Sequence, residues 1–141
     1  MADRAMDLVK ALQISASGMQ AQGMRIRVIS ENIANADSLA TQPGGQPYQR
    51  KTVSFAEQLN RSLGIETVRV SEIGVDTTPF EKRYDPHHPA ADASGYVQVP
   101  NVNPLVEMMD MQEAQRSYEA NLNVLQASRT MLSRTVELLK N

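Results

Sequence analysis

The chain has 141 residues, with 14 lysines and arginines against 16 aspartates and glutamates, and no cysteine or tryptophan, which is one domain's worth of chain at most. A net charge of −2 leaves no surplus of cations to displace counterions from nucleic acid or to hold an anionic membrane. The absence of cysteine excludes a disulfide framework, a zinc ribbon and a thiol nucleophile. All seven prolines fall between Pro43 and Pro104, and all eight methionines lie outside that stretch, from Met1 to Met24 and from Met108 to Met131.

Asp3, Arg4, Asp7 and Lys10 interrupt the methionine-rich start, so no secretory apolar segment is present, and nowhere do about 18 uncharged apolar residues follow one another. Taken bare, the sequence reads as soluble and cytoplasmic, with no direct membrane insertion. From Ala5 the positions spaced alternately three and four apart are Ala5, Leu8, Leu12, Ser15, Met19, Gln22, Ile26, Ile29, Ile33 and Ala36, and eight of these ten are apolar. That spacing predicts a long heptad-patterned helix ending near Ala36 to Ser38. Gly18 and Gly23 each cost such a helix about 0.5–1 kcal/mol relative to alanine. With Ala11, Ser15 and Gly18 on one face, the sharper reading is a groove that admits another helix backbone. Asn32 and Asn35, with Glu31 and Asp37, form either a solvated helix end or a set of cross-chain hydrogen-bonding groups.

The prolines then enforce an irregular insert, beginning at Pro43-Gly44-Gly45-Gln46-Pro47. Thr67 to Ser71 and Tyr96 to Val99 alternate as strands do, and the slip of phase from Val68 and Val70 to Ile73 and Val75 implies a bulge or break at Glu72. Thr52 to Phe55 fits a strand, while Ser54 to Ser62 also fits a short helix capped by Ser54. With few large hydrophobes, this insert is expected as a flattened hairpin or extended arm packed on the helices or on neighbours. A metal site here could in principle use Asp85, His88 and Asp92. Adjacent histidines in a proline-bounded loop, without a helical i, i+4 pair, favour a structured turn instead. No nucleophile-elbow, zinc-hydrolase, dinucleotide or phosphate-loop pattern occurs, so neither catalysis nor a cofactor is expected.

Asn103 and Pro104 supply an N-cap and a first helical residue, and Glu107 falls at or next to the third helical position. The second helix is therefore expected to begin at Pro104. Its seam is Met108, Met111, Gln115, Tyr118, Leu122, Leu125, Arg129, Leu132, Val136 and Leu139, again with eight apolar positions of ten. The polar members Ser15, Gln22, Gln115 and Arg129 either fray the two seams or fix their register. Each helix would run roughly 50 Å, against about 37 Å for a compact globule of this length, so the helices must lie along one another and call on other chains. The methionines serve as adaptable core filler and suit a chain that meets several non-identical neighbours.

These residues also carry a resemblance. The stretch "ISASGMQAQGMRIRVISENIANADS", Ile14 to Ser38, resembles the N-terminal motif shared by bacterial flagellar rod and hook proteins, including the intact Asn32-Ile33-Ala34-Asn35. The stretch "YVQVPNVNPLVEMMDMQEAQRSYEANLNVLQASRTML", Tyr96 to Leu132, is similar to the C-terminal helix of proximal rod proteins of that family. The similarity is closest at Pro100 to Asn103, at Glu107-Met108 and at Arg116 to Asn121. Tyr48-Gln49-Arg50-Lys51 and Tyr84-Asp85-Pro86-His87-His88-Pro89 fit as well. Departures are Ser38 where threonine is common, His87 where glycine is usual and Ala90 where an acid is common.

The resemblance implies a mainly α architecture, with the terminal helices paired as an antiparallel α-hairpin or coiled coil around a small β-rich, proline-containing insert. It divides the chain into 1–38 and 101–141 as the axial core and 39–100 as the insert. It implies a structural subunit of the flagellar basal-body rod in the periplasm, exported through the type III apparatus without a cleaved signal peptide. The implied partners are further copies of itself, other proximal and distal rod subunits and the adaptor at the basal-body base and export gate. Residues expected at assembly interfaces are Ser15, Gly18, Met19, Gln22, Ile26, Ile29, Asn32, Ile33, Asn35, Asn101, Asn103, Met108, Tyr118, Asn121, Leu122, Leu125, Arg129 and Leu132. A soluble coiled-coil adaptor that dimerises through the same seams is the alternative.

Overall fold

The computed structural model describes residues 2–141. Helix α1 spans Ala2–Ala34, strands β1 to β4 span Lys51–Asn60, Ile65–Val75, Glu81–Tyr84 and Tyr96–Val99, and helix α2 spans Pro104–Lys140. At 1.5 Å per residue, the 33 residues of α1 and the 37 of α2 give helices of about 50 and 55 Å. The second helix starts at Pro104 because Asn103 caps it, its Oδ1 accepting the N–H groups of Leu105 at 3.1 Å and Val106 at 3.4 Å. The first ends at Ala34, slightly before the expected Ala36, and a turn closed by Ser38 N–H on the Asn35 carbonyl at 3.0 Å carries the chain away.

The insert holds two separate two-stranded sheets, β1 with β2 and β3 with β4. The helical alternative for Ser54 to Ser62 is overturned, because β1 runs through to Asn60 and its backbone faces β2. Thr67 Oγ1 reaches the Gln58 carbonyl at 3.0 Å and Ser71 Oγ the Ser54 carbonyl at 3.1 Å, an order that makes the pair antiparallel. Asn60 organises the intervening turn. Its carbonyl accepts from Gly64 N–H at 2.8 Å and its side chain accepts from the Ser62 hydroxyl at 2.7 Å, with Gly64 at φ +64° where a side chain would be strained. No break occurs at Glu72. Strand β2 continues to Val75, and the slip of phase places Ile73 and Val75 on the outward face with Arg69 and Ser71.

The chain forms two compact units. Of the described residues, the first combines 2–26, 54–72 and 112–141, and the second combines 27–53 and 73–111. In the first, Gly18 abuts Asn121 while Arg25, further along α1, pairs with Glu113, earlier in α2, so the two helical segments run in opposite directions. Ser15, Gly18, Ala21, Ala114 and Ser128 are its buried helical residues. Ser17 Oγ also accepts the Val68 N–H at 3.3 Å, which ties the β1–β2 hairpin to the neighbouring face of α1.

In the second unit β3 and β4 pair antiparallel, with Glu81 opposite Val99 and Tyr84 opposite Tyr96. The two tyrosine rings meet edge to face at 5.3 Å. Gly95, at φ +84°, closes the loop between them, where a Cβ would stand 2.9 Å from the Tyr84 ring and 3.1 Å from Pro86 Cβ. Val97, 1% exposed, turns inward with Val28, Ile29 and Ala90 as the buried apolar residues of this unit.

Candidate assembly surfaces

The helices bury a seam rotated from the one that hydrophobicity alone picks out. In α2, Met111, Tyr118, Leu125 and Leu132 are inward as expected, but the residues between them are Glu107, Ala114, Asn121, Ser128 and Thr135. The larger Met108, Gln115, Arg129 and Val136 are exposed, while Leu122 is half-buried at the edge. In α1 the expected Ser15 and Ile29 are buried and so are Gly18 and Asn32 between the expected positions, whereas Met19, Gln22, Arg25, Ile26 and Ile33 are all half-buried. The shift has a steric cause: small residues let two helix backbones approach more closely than large apolar side chains allow. At Gly18 the fit is tight, since a Cβ there would stand 2.8 Å from Asn121 Nδ2. Gly23 is different, its nearest neighbour being Tyr118 Cε2 at 3.9 Å, an ordinary contact.

The second unit is held by a polar knot that the sequence patterns do not expose. Asn32, 1% exposed, uses both ends of its amide. Its Nδ2 donates to the Lys51 carbonyl at 2.9 Å and to Glu107 Oε2 at 3.3 Å, while its Oδ1 accepts the Tyr48 hydroxyl at 2.7 Å and Lys51 N–H at 2.9 Å. All four hydrogen-bonding positions of this amide are thus taken within the chain. Asn35 likewise donates to the Glu31 carbonyl at 2.8 Å and accepts from Ser38 at 3.0 Å. Asn101 accepts Arg50 N–H at 2.8 Å and donates to the carbonyls of Asp76 and Thr78 at 3.0 Å each, which pins the segment between β2 and β3.

Arg50 centres the charges of this knot. Its Nε donates to Glu107 Oε1, its Nη1 lies 3.3 Å from Asp76 Oδ2 and its Nη2 lies 3.9 Å from Asp110 Oδ2. Glu107 is 1% exposed, so this acid does more than favour a helix start: from the fourth helical position, next to the third as expected, it turns inward and meets the guanidinium. Asp76 is held below the usual carboxylate range by the Thr78 hydroxyl at 2.6 Å, then by the Thr78 N–H at 2.8 Å, with Arg50 adding to both. Burial pushes the Tyr48 hydroxyl up, and the hydrogen bond between Lys51 and Glu31, at 2.8 Å, raises the lysine and lowers the acid. Burial opposes the charge on Arg50, but its carboxylate partners, Glu107 first, outweigh that and raise it above its ordinary value. Among the described residues every buried side-chain nitrogen and oxygen has a partner.

The histidine loop has a structural account. His88 Nδ1 accepts the Ala90 N–H at 3.0 Å, and Asp92 Oδ1 accepts the N–H groups of Ser94 at 2.8 Å and Tyr96 at 3.0 Å. The groups that would have to bind a metal are shaping a turn, and the backbone bonds, that to Tyr96 first, lower the Asp92 carboxyl.

What the fold leaves uncovered is mainly on α2. Leu105, Val106, Met108 and Met109 are exposed near its start, and Val124, Met131, Val136, Leu138 and Leu139 are exposed toward its end. Met6 and Ile14 on α1 and Phe55, Leu59, Ile73 and Val75 on the hairpin add to these. Of the residues expected at interfaces, Asn103, Met108 and Arg129 are exposed, whereas Ser15, Gly18, Ile29 and Asn32 are buried within the chain. Among the described residues no helix is long and apolar enough to cross a membrane.

Residues 12–38 match the family model described as flagella basal body rod protein, and residues 93–138 match that of the flagellar basal body rod FlgEFG protein C-terminal. The flagellar basal-body rod protein FlgC of Agrobacterium fabrum is 50% identical over 133 residues, covering 94% of this chain and 96% of the relative. That of Bacillus subtilis is 41% identical over 145 residues, with 92% and 97% covered. That of Borreliella burgdorferi is 38% identical over 152 residues, with 96% and 99% covered.

Proposed function

This chain belongs to the FlgC family of flagellar basal-body rod proteins, and on that premise we propose that it is a structural subunit of the rod that assembles with other rod components and transmits torque without chemical turnover. The observation that carries the reading is the apolar surface of α2. Leu105, Met109, Met131, Leu138 and Leu139 are each more than half exposed, and each contributes about 1.5–3 kcal/mol when a neighbour fully covers it. A helix exposing such residues along much of its length belongs against other helices.

In finer terms, segments 1–38 and 101–141 pair as an antiparallel coiled coil that forms the axial core of the tube, and 39–100 is the insert that locks adjacent subunits. The partners are further copies of this chain, proximal and distal rod subunits and the adaptor at the base, reached by type III export into the periplasm without cleavage of a signal peptide. Head-to-tail contacts that do not close on themselves would extend the assembly as a helix.

Fractionation tests this reading. The full-length chain is expected in purified basal bodies, with an intact N-terminus by mass spectrometry. Recovery only as a soluble species bound to one partner would support a coiled-coil adaptor instead.

A further inference from the structure

Two apolar surfaces of α2 differ in the charge around them. The first, Leu105 with Met109, lies in a unit holding eight acidic and five basic residues, and beside it Asp110 shares a single guanidinium with Glu107 and Asp76. The second, Met131 with Leu138, lies in a unit holding eight acidic and nine basic residues, and within α2 from Gln126 to Asn141 it is accompanied by Arg129, Arg134 and Lys140 against Glu137 alone. Among the described residues Arg129 and Arg134 have no ion-pair partner, so two cations stand free beside exposed apolar side chains. Each surface would repel a second copy of itself, because acid would meet acid and base would meet base. The charges thus disfavour an isologous dimer and favour a heterologous contact, which propagates as a filament.

We propose that the end of α2 of one copy docks on the start of α2 of a second copy, with Met131 and Leu138 covering Leu105 and Met109, and with Arg134 facing the acidic surplus around Asp110. This rests on the reading of the chain as a rod subunit and adds which surface meets which.

The absence of native cysteine makes a direct test available. Met109→Cys and Leu138→Cys alter positions that are 63% and 64% exposed, so neither variant disturbs the fold. Two full-length chains, each carrying one of these substitutions, are co-expressed, basal bodies are isolated, and disulfide formation is driven with mild oxidant. The expected result is a mixed dimer of the two chains that exceeds either dimer of like chains, and a fall of at least about tenfold in its yield when Arg134→Glu is added to the Leu138→Cys chain. Incorporation of both chains into basal bodies with only like-chain crosslinks, crosslinks only to other proteins, or none would overturn this contact while leaving the rod assignment standing. Exclusion of both chains from basal bodies would overturn the two together.

Discussion

The two compact units hold themselves together by different means. Around Arg50, the second relies on directional polar contacts in which a carboxylate only 1% exposed meets a guanidinium and a fully occupied asparagine amide. The first relies on close approach of small residues, with Gly18 against Asn121 and the exposed Arg25–Glu113 pair, which adds little. A buried polar network penalises slipped or alternative arrangements, because every misplacement strands a polar group. A seam of small residues tolerates sliding, and beside it α2 leaves Val124, Met131, Val136, Leu138 and Leu139 uncovered. On this account the polar knot of the second unit is preformed, while the exposed stretch of α2 in the first is completed by neighbours.

Four expected effects sharpen or break that contrast. Glu107→Ala strips Arg50 of its most buried partner and Asn32 of an acceptor, and should cost about 3 kcal/mol in urea unfolding of the purified chain; a loss under 0.5 kcal/mol would remove the knot from the account. Gly18→Val places side-chain carbons against Asn121 and should cost about 1–3 kcal/mol in the same assay. Gly23→Ala, with ordinary contact room at 3.9 Å, should instead stabilise by about 0.5–1 kcal/mol, so equal behaviour of the two glycines would contradict the close approach at Gly18. The smallest expected effect is on pH. Asp76, Glu31 and Asp92 are held below their ordinary values, so their contribution is complete above the usual carboxylate range and is lost as pH falls through the lowered values. Monitored by amide signals in the second unit, acidification should loosen the Asp76–Thr78 turn, and Asp76→Asn should flatten that part of the profile.

Much of this was legible from the sequence where local chemistry decides it. Asn103 and Pro104 announced the start of α2, and Tyr96 to Val99 marked β4 by alternation. The strand across Ser54 to Asn60 was ambiguous, because its capping pattern competes locally with a pairing that only β2 supplies. The helix seams were found at Ser15, Ile29, Tyr118 and Leu125 but misplaced between them, because apolar periodicity favours large side chains whereas close packing selects Gly18, Ala114 and Ser128. The knot was hidden for a different reason. Arg50 and Glu107 are 57 residues apart, and no periodic signal joins positions that meet only in the folded chain. The resemblance had singled out both Tyr48-Gln49-Arg50-Lys51 and Glu107-Met108 without linking them.

Amide hydrogen exchange, compared between the purified monomer and the same chain in isolated basal bodies, tests the central contrast most directly. The account predicts that amides around Asn32, Arg50 and Glu107 are protected in both states, while those from Val124 to Leu139 exchange rapidly in the monomer and become protected on assembly. A monomer whose most protected amides are those from Val124 to Leu139, unchanged in the basal body, would contradict it.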